Sequence, residues 1–292
     1  MNGVLVVDKP VGPTSHDVVA LARRALATRR VGHTGTLDPQ ASGVLPLVVG
    51  SATRLAQYLT AGDKEYEATV RFGATTDTAD LAGTVVAQTG RWPGAEALEA
   101  ALTRFRGTFD QVPPAFSAKK IGGERAYALA RQARPVRLTA VPVRVDALEL
   151  LQYEPPDARL RVRASAGFYV RSLAADLGEA VGTGACLAAL RRTAAGPFAL
   201  RQAVPLAALA PGATAELGDR LVPLEALLPD WPAVHLTSDA ATRARHGRDL
   251  GPGELGGPAP GRPVRLLGPD GRLLGLAEPV PGGFLHPSVV LG

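Results

Sequence analysis

From Lys64 to Phe72 the residues alternate without a break. Tyr66, Ala68, Val70 and Phe72 fall on one side, and Glu65, Glu67, Thr69 and Arg71 on the other. A period of two is the spacing of a β-strand, so this segment is a strand with one face on a core and one on water. Further strands are predicted at residues 3–7, Val44–Val49, Thr84–Gln88, Val141–Leu151 and Ala158–Ala164, the last two joined by a turn at Glu154-Pro155-Pro156-Asp157. Helices are expected between them. One begins at Ser15 as N-cap, with Asp17 in its first turn and Val18, Val19, Ala22 and Leu26 as its apolar face. Others run over Ala52–Leu59, over Ala95–Phe105 with Gly107 as its stop, and from Phe168 to near Gly182, with Leu187–Arg192 continuing helically; residues 73–83 read as loop.

Between the first helix and the strand at Val44 lies Gly32-His33-Thr34-Gly35-Thr36-Leu37-Asp38-Pro39-Gln40-Ala41-Ser42-Gly43. Asp38 is the sole acidic side chain between Asp17 and Asp63. The glycines admit backbone conformations closed to other residues, and Pro39 disfavours the helical region at Asp38. One carboxylate is therefore displayed on a stiff, shaped loop. With Arg23, Arg24, Arg29, Arg30, Arg54 and Lys64 near it in sequence, it stays ionised if any of those charges comes close, which suits a nucleophile or base.

Other chemistries fit less well. The loop lacks the Gly-Lys-Ser/Thr ending of a Walker phosphate cradle and has no paired carboxylate for glycosidase-type work. His33 has no ligand spacing with the other histidines or with Cys186, so no metal site is expected. The single cysteine excludes an internal disulfide framework and points to a reducing, cytoplasmic setting. No apolar run approaches the roughly 20 residues of a membrane helix.

The net charge of +5 is unevenly placed: residues 1–200 hold 24 Lys and Arg against 18 Asp and Glu, and the remainder is near neutral. That excess suits a polyanionic partner. The stretch Gln111 to Tyr127 adds Lys119 and Lys120 between Phe116, Tyr127 and a glycine pair; it is either a surface excursion or a mobile basic loop able to stack on bases and touch phosphates. From about residue 203 the composition shifts to Ala, Pro, Gly and Leu, and residues 233–292 are short β-like pieces between turns.

Several segments together resemble the TruB family of tRNA pseudouridine synthases. They are G-H-T-G-T-L-D-P-Q-A-S-G-V-L-P at the central loop, V-D-K-P-V-G-P-T-S near the start, D-K-E-Y at 63–66, T-D-T-A-D at 76–80, Q-V-P-P-A-F-S-A-K-K at 111–120, F-Y-V-R at 168–171 and L-R-R at 190–192, all in family order. The resemblance implies an α+β fold with a mixed, largely antiparallel sheet and flanking helices over residues 1–230, and a small β-barrel-like PUA-type module over 231–292. It implies an isomerase that converts the T-loop uridine of tRNA (position 55 in tRNA numbering) to pseudouridine, without cofactor or metal.

By the same resemblance, Asp38 is the catalytic carboxylate, which attacks or deprotonates the flipped-out uridine. Tyr66 stacks on the target base, Arg171 pairs with Asp38, Leu190 walls the base pocket, Tyr169 contacts substrate, and His33 fills the space the flipped nucleotide leaves. Lys9, Lys64, Lys119 and Lys120 touch RNA, the loop at about 111–135 acting as a thumb on the T-arm stem-loop. The chain departs from the family at Phe168, where a threonine is usual. A monomer without an obligate protein partner is expected. The rival reading is a tRNA-binding or tRNA-folding protein whose contacts matter more than its chemistry.

Overall fold

The computed structural model describes residues 1–116, 120–121, 124–125, 138–255 and 260–291. The alternation at residues 64–72 produces the strand it predicts, and that strand lies inside a large sheet. In chain order the strands are β1 (Gly3–Lys9), β2 (Val31–His33), β3 (Ala41–Val49), β4 (Lys64–Phe72), β5 (Ala74–Thr76), β6 (Val85–Gln88), β7 (Gly107–Gln111), β8 (Lys120–Ile121), β9 (Glu124–Arg125), β10 (Val141–Glu154), β11 (Asp157–Ala164), β12 (Ala185–Ala195), β13 (Phe198–Ala199) and β14 (Val204–Pro205). The main sheet runs β14-β1-β3-β12-β4-β11-β10-β7, with β2 added to β3 and β13 to β12. Its pairings are antiparallel except β1 with β14 and β3 with β12, which makes the sheet mixed but largely antiparallel.

Helices α1 (Ser15–Ala25), α2 (Ala56–Thr60), α3 (Ala95–Thr103) and α4 (Val170–Ala180) flank the sheet. Val70, Phe72, Leu160 and Val162 of the central strands pack against Leu98 and Leu102 of α3 and Leu173 and Leu177 of α4. At the β1–β3 end both faces are covered. Leu5, Val7, Leu45 and Leu47 meet Val18, Val19 and Ala22 of α1, whereas Val4, Val6, Val44 and Val48 meet Leu55, Phe198 and the C-terminal region. Burial on both faces explains why residues 44–49 are continuously apolar while β4 alternates.

Three local expectations are corrected. The segment predicted to continue helically through Leu187–Arg192 is the middle of β12, hydrogen-bonded to β3 on one side and β4 on the other. Leu, Ala and Arg favour helices in isolation, but two ladders of tertiary hydrogen bonds outweigh tenths of a kcal/mol of propensity. The cap of α1 is Thr14, which forms a capping box with Asp17 and leaves Ser15 as the first helical residue. Within the expected loop at 73–83, Ala74–Thr76 pairs with β6 as a hairpin.

Beyond residue 230, strands β15 (Ala233–His235), β16 (Val264–Leu267), β17 (Leu273–Val280) and β18 (Phe284–Val290) form a four-stranded sheet in that order. It has its own core of Leu236, Ala240, Ala244, Leu250, Leu266 and Leu285. Leu273, Leu276 and Leu291 pack it against the main sheet. Among the described residues, no helix is long and apolar enough to cross a membrane.

Candidate active site

Asp38 sits in the loop between β2 and β3, and the loop is fixed on both sides of it. The Ser15 hydroxyl donates to the Leu37 carbonyl at 3.0 Å and accepts from the Leu37 N–H at 2.8 Å, while the Leu37 side chain is buried in the α1 cluster. On the other side the Gly12 N–H donates to the Pro39 carbonyl at 2.8 Å, and the Ala41 N–H donates back to the Asp38 carbonyl at 3.0 Å. Gly35 and Gly43 carry φ of +137° and +104°, a region that L side chains rarely adopt.

The carboxylate meets Arg171 from the first turn of α4, with Arg171 Nη2 3.0 Å from Asp38 Oδ2. A cation there lies at the wrong end of the helix dipole, and the structure supplies its compensation. Besides Asp38, the guanidinium donates to the carbonyls of Phe116 at 2.7 Å and Thr78 at 3.2 Å, and its Nε is 3.7 Å from Asp80 Oδ2. The Arg171 side chain is 8% exposed and that of Asp80 3%, whereas Asp38 keeps 38%. Of the three, Asp38 is the most open to a ligand. Burial pushes its carboxyl above the usual carboxylate range; Arg171 opposes that shift, Asp80 adds to it, and Lys9 opposes it.

The opening is a cavity of about 890 Å³ whose walls bring together Asp38, Tyr66, Arg171, His33, Leu190 and Tyr169, together with Lys64. Its size lies within the range of sites that take small molecules or a nucleotide. Tyr66 enters from β4, directly across the ladder from Arg192 of β12. Leu190, opposite Ala41 in the parallel pairing, packs against both central clusters. The Gly35 N–H donates to His33 Nδ1 at 3.3 Å. Phe168, the departure from the family pattern, is 7% exposed and serves as core as well as cavity wall.

The lysines divide differently from expectation. Lys9 is fully buried, with its ammonium donating to the Pro10 and Pro13 carbonyls at 2.8 and 2.9 Å, so in this conformation it faces the interior rather than solvent. Lys64 lines the cavity but is 8% exposed and donates to the Thr60 and Gly62 carbonyls. Burial lowers both to about 8. Lys119 and the side chain of Lys120, with most of the 111–135 loop, lie outside the described residues.

Sequence reasoning passed over Asp80, Gln111 and Arg192. Asp80 accepts from Thr78 Oγ1 at 2.7 Å, from the Ala82 N–H at 3.0 Å and from the Gln40 amide, so it ties Arg171 to the Asp38 loop. Gln111, 1% exposed, pairs its amide with the Tyr169 N–H and carbonyl at 2.8 and 3.1 Å and so fixes the entry to α4. The repeated Thr-Asp spacing at 76–80 signals a turn, but nothing in it reports that Arg171 will arrive from ninety residues away. Among the described residues no group of three or more His, Cys, Asp or Glu is arranged to hold a metal ion.

The chain is similar to known proteins along nearly its whole length. Residues 23–170 match the TruB family pseudouridylate synthase N-terminal domain, 171–229 the tRNA pseudouridylate synthase B C-terminal domain, and 232–291 the pseudouridine synthase II TruB C-terminal domain. The chain is 46% identical to tRNA pseudouridine synthase B of Solibacter usitatus over all of both chains. It is 43% identical to that of Pseudomonas aeruginosa, over 98% of this chain and 95% of the relative. The fold is similar to a chain in the crystal structure of a Cbf5-Nop10-Gar1 complex, with a TM-score of 0.74 and 29% identity over 95% of this chain and 78% of that one. It is likewise similar to one in an H/ACA RNP bound to a substrate RNA containing 2'-deoxyuridine, with a TM-score of 0.75 and 26% identity over 99% and 85%. By its consecutive domain matches and full-length relatives, the chain belongs to the TruB family of pseudouridylate synthases.

Proposed function

We propose that this chain converts the T-loop uridine of tRNA, position 55 in tRNA numbering, to pseudouridine. The observation that carries the proposal is the Asp38–Arg171–Asp80 arrangement at the wall of a cavity that also presents the Tyr66 ring. A binding protein gains nothing from an open carboxylate, which repels phosphate. In the isomerisation the bond from the ribose C1' to N1 breaks, a bond from C1' to C5 forms, the C5 proton leaves and N1 gains one, so atoms balance without redox change. Asp38 acts on the uridine at this step, and Arg171 keeps it ionised and aimed. Tyr66 stacks on the base, Leu190 and Tyr169 wall it, and His33 occupies the space that the flipped nucleotide leaves.

Residues 1–230 form the catalytic unit in this reading, and residues 231–292 an RNA-contacting PUA-type module of modest grip, given their near-neutral charge. Lys119 and Lys120 touch the T-arm. Lys9 and Lys64 support the site from within. The enzyme works as a cytoplasmic monomer, which sedimentation with and without RNA checks.

The test treats an unmodified T-arm stem-loop with wild type and with Asp38→Asn and reads pseudouridine by carbodiimide-blocked primer extension. Product from wild type alone is expected. Equal product from Asp38→Asn refutes the role of the carboxylate, and binding without product from wild type favours the RNA-folding reading.

A further inference from the structure

Among the described residues, Arg192 has the largest fully buried side chain, with 2% exposure. No carboxylate among the described residues forms an ion pair with it. Its guanidinium is directed instead at main-chain oxygens of the Asp38 loop. Nε donates to the Val44 carbonyl at 2.7 Å, Nη2 to the Gly35 carbonyl at 3.1 Å, and Nη1 lies 3.5 Å from the Thr36 carbonyl. Gly35 and Thr36 precede Asp38, and Val44 follows it. One side chain therefore ties the incoming and outgoing limbs of the loop together.

The main chain repeats the arrangement. Arg192 is in register with Gly43 of β3 on one side and with Tyr66 of β4 on the other, so Gly43, Arg192 and Tyr66 form one row across three strands. Directly opposed residues in an antiparallel pair project from the same face, so the Tyr66 and Arg192 side chains leave the sheet on the same side. The approach at Gly43 is so close that a Cβ there would lie 2.1 Å from the Arg192 carbonyl oxygen.

A buried cation is costly unless its donors are satisfied, and replacement of buried ionic groups by apolar ones is often neutral or stabilising. Stability alone is thus a weak reason to place a guanidinium here. What a guanidinium adds is a rigid planar fork able to reach several acceptors at fixed angles, which an ammonium cannot reproduce. We propose that Arg192 is a positioning residue, whose guanidinium holds both limbs of the Asp38 loop while its backbone stands in register with Tyr66, and which so sets the distance from carboxylate to ring before RNA arrives. This rests on the function proposed above, because the frame matters only if Asp38 and Tyr66 act on one base.

The experiment compares full-length wild type, Arg192→Lys and Arg192→Met. It reads hydrogen exchange of amides 34–43, the single-turnover rate at saturating T-arm stem-loop, and the RNA dissociation constant. For both variants we expect exchange in 34–43 to quicken at least tenfold with β10 and β11 unchanged. The rate should fall at least thirtyfold, and the dissociation constant should stay within threefold. Arg192→Lys keeps the charge but not the fork, so it shows the loss even if Arg192→Met does not fold.

A quickened loop with an unchanged rate would reduce Arg192 to a structural residue and overturn the proposal. A loss lying wholly in the dissociation constant would make Arg192 an RNA contact, and unchanged exchange would show that the loop is held by other groups. Failure of both variants to fold would also overturn it, by making Arg192 a requirement of the core. An inactive wild type would remove the functional reading, while the exchange result would still decide whether Arg192 holds the loop.

Discussion

Replacing Arg171 by methionine keeps the bulk of the side chain and removes the cation shared by two carboxylates. In a medium of effective dielectric near 20, unit charges 3.0 Å apart attract by about 5 kcal/mol, and at 3.7 Å by about 4 kcal/mol. These are gross figures, and the two partners differ in what they lose. Asp38 is 38% exposed, and water replaces much of its pairing. Asp80 is 3% exposed and is left charged inside the protein.

Breaking a buried pair from one side costs about 3–5 kcal/mol, and the hydrogen bonds Asp80 keeps from Thr78, Ala82 and Gln40 place this case at about 3. With a urea slope of about 3 kcal/mol per molar, the unfolding midpoint of Arg171→Met should fall by about 1 M. Adding Asp80→Asn removes the stranded charge, so the double variant should regain about 1–2 kcal/mol over Arg171→Met. Single-turnover rates should fall as well, and their acid limb should move to higher pH, because Arg171 holds the Asp38 carboxyl down. A wild-type urea midpoint for Arg171→Met, or a double variant that loses the sum of the two single losses, would refute the shared-cation argument.

Three further outcomes follow from the same geometry. The acid limb of the wild-type rate should lie above the roughly 3.9 of an ordinary Asp, since burial raises Asp38, and Asp80→Asn should shift it downward; a limb that stays in place removes Asp80 from the electrostatics of the site. Lys9 and Lys64 titrate near 8 when folded and at about 10.4 when unfolded, so the unfolded chain binds more protons between those values and stability should rise with pH across that window. Urea midpoints of wild type and of Lys9→Met with Lys64→Met, taken at pH 7.5 and 9.5, check this through a smaller rise in the double variant. Gly43→Ala should cost more than about 3 kcal/mol, because its Cβ would strike the Arg192 carbonyl at φ +104°, whereas Gly247→Ala at φ +69° with open space around it should cost about 1; equal unfolding midpoints would contradict the close approach of β3 to β12.

Much of the molecule was legible from residues alone because it depends on local periodicity. The alternation in β4, the apolar run of β3 and the Pro-Pro turn between β10 and β11 each report a strand or turn through neighbouring side chains. Asp38 stood out because glycines and a proline frame it. The failures came where contacts between distant segments outweigh local preference. Leu187–Arg192 has the composition of a helix and becomes a strand because β3 and β4 offer it ladders on both edges.

Lys9 and Lys64 were expected to touch RNA by resemblance alone, and the chain folds their ammonium groups onto backbone carbonyls. Asp80 and Arg192 carry no local mark of their roles, since each acts through partners 91 or about 150 positions away in sequence. Spacing and backbone stiffness, being local, were written in the sequence; which charges share a buried space, and so what Asp38 can do, was decided only when the sheet closed around it.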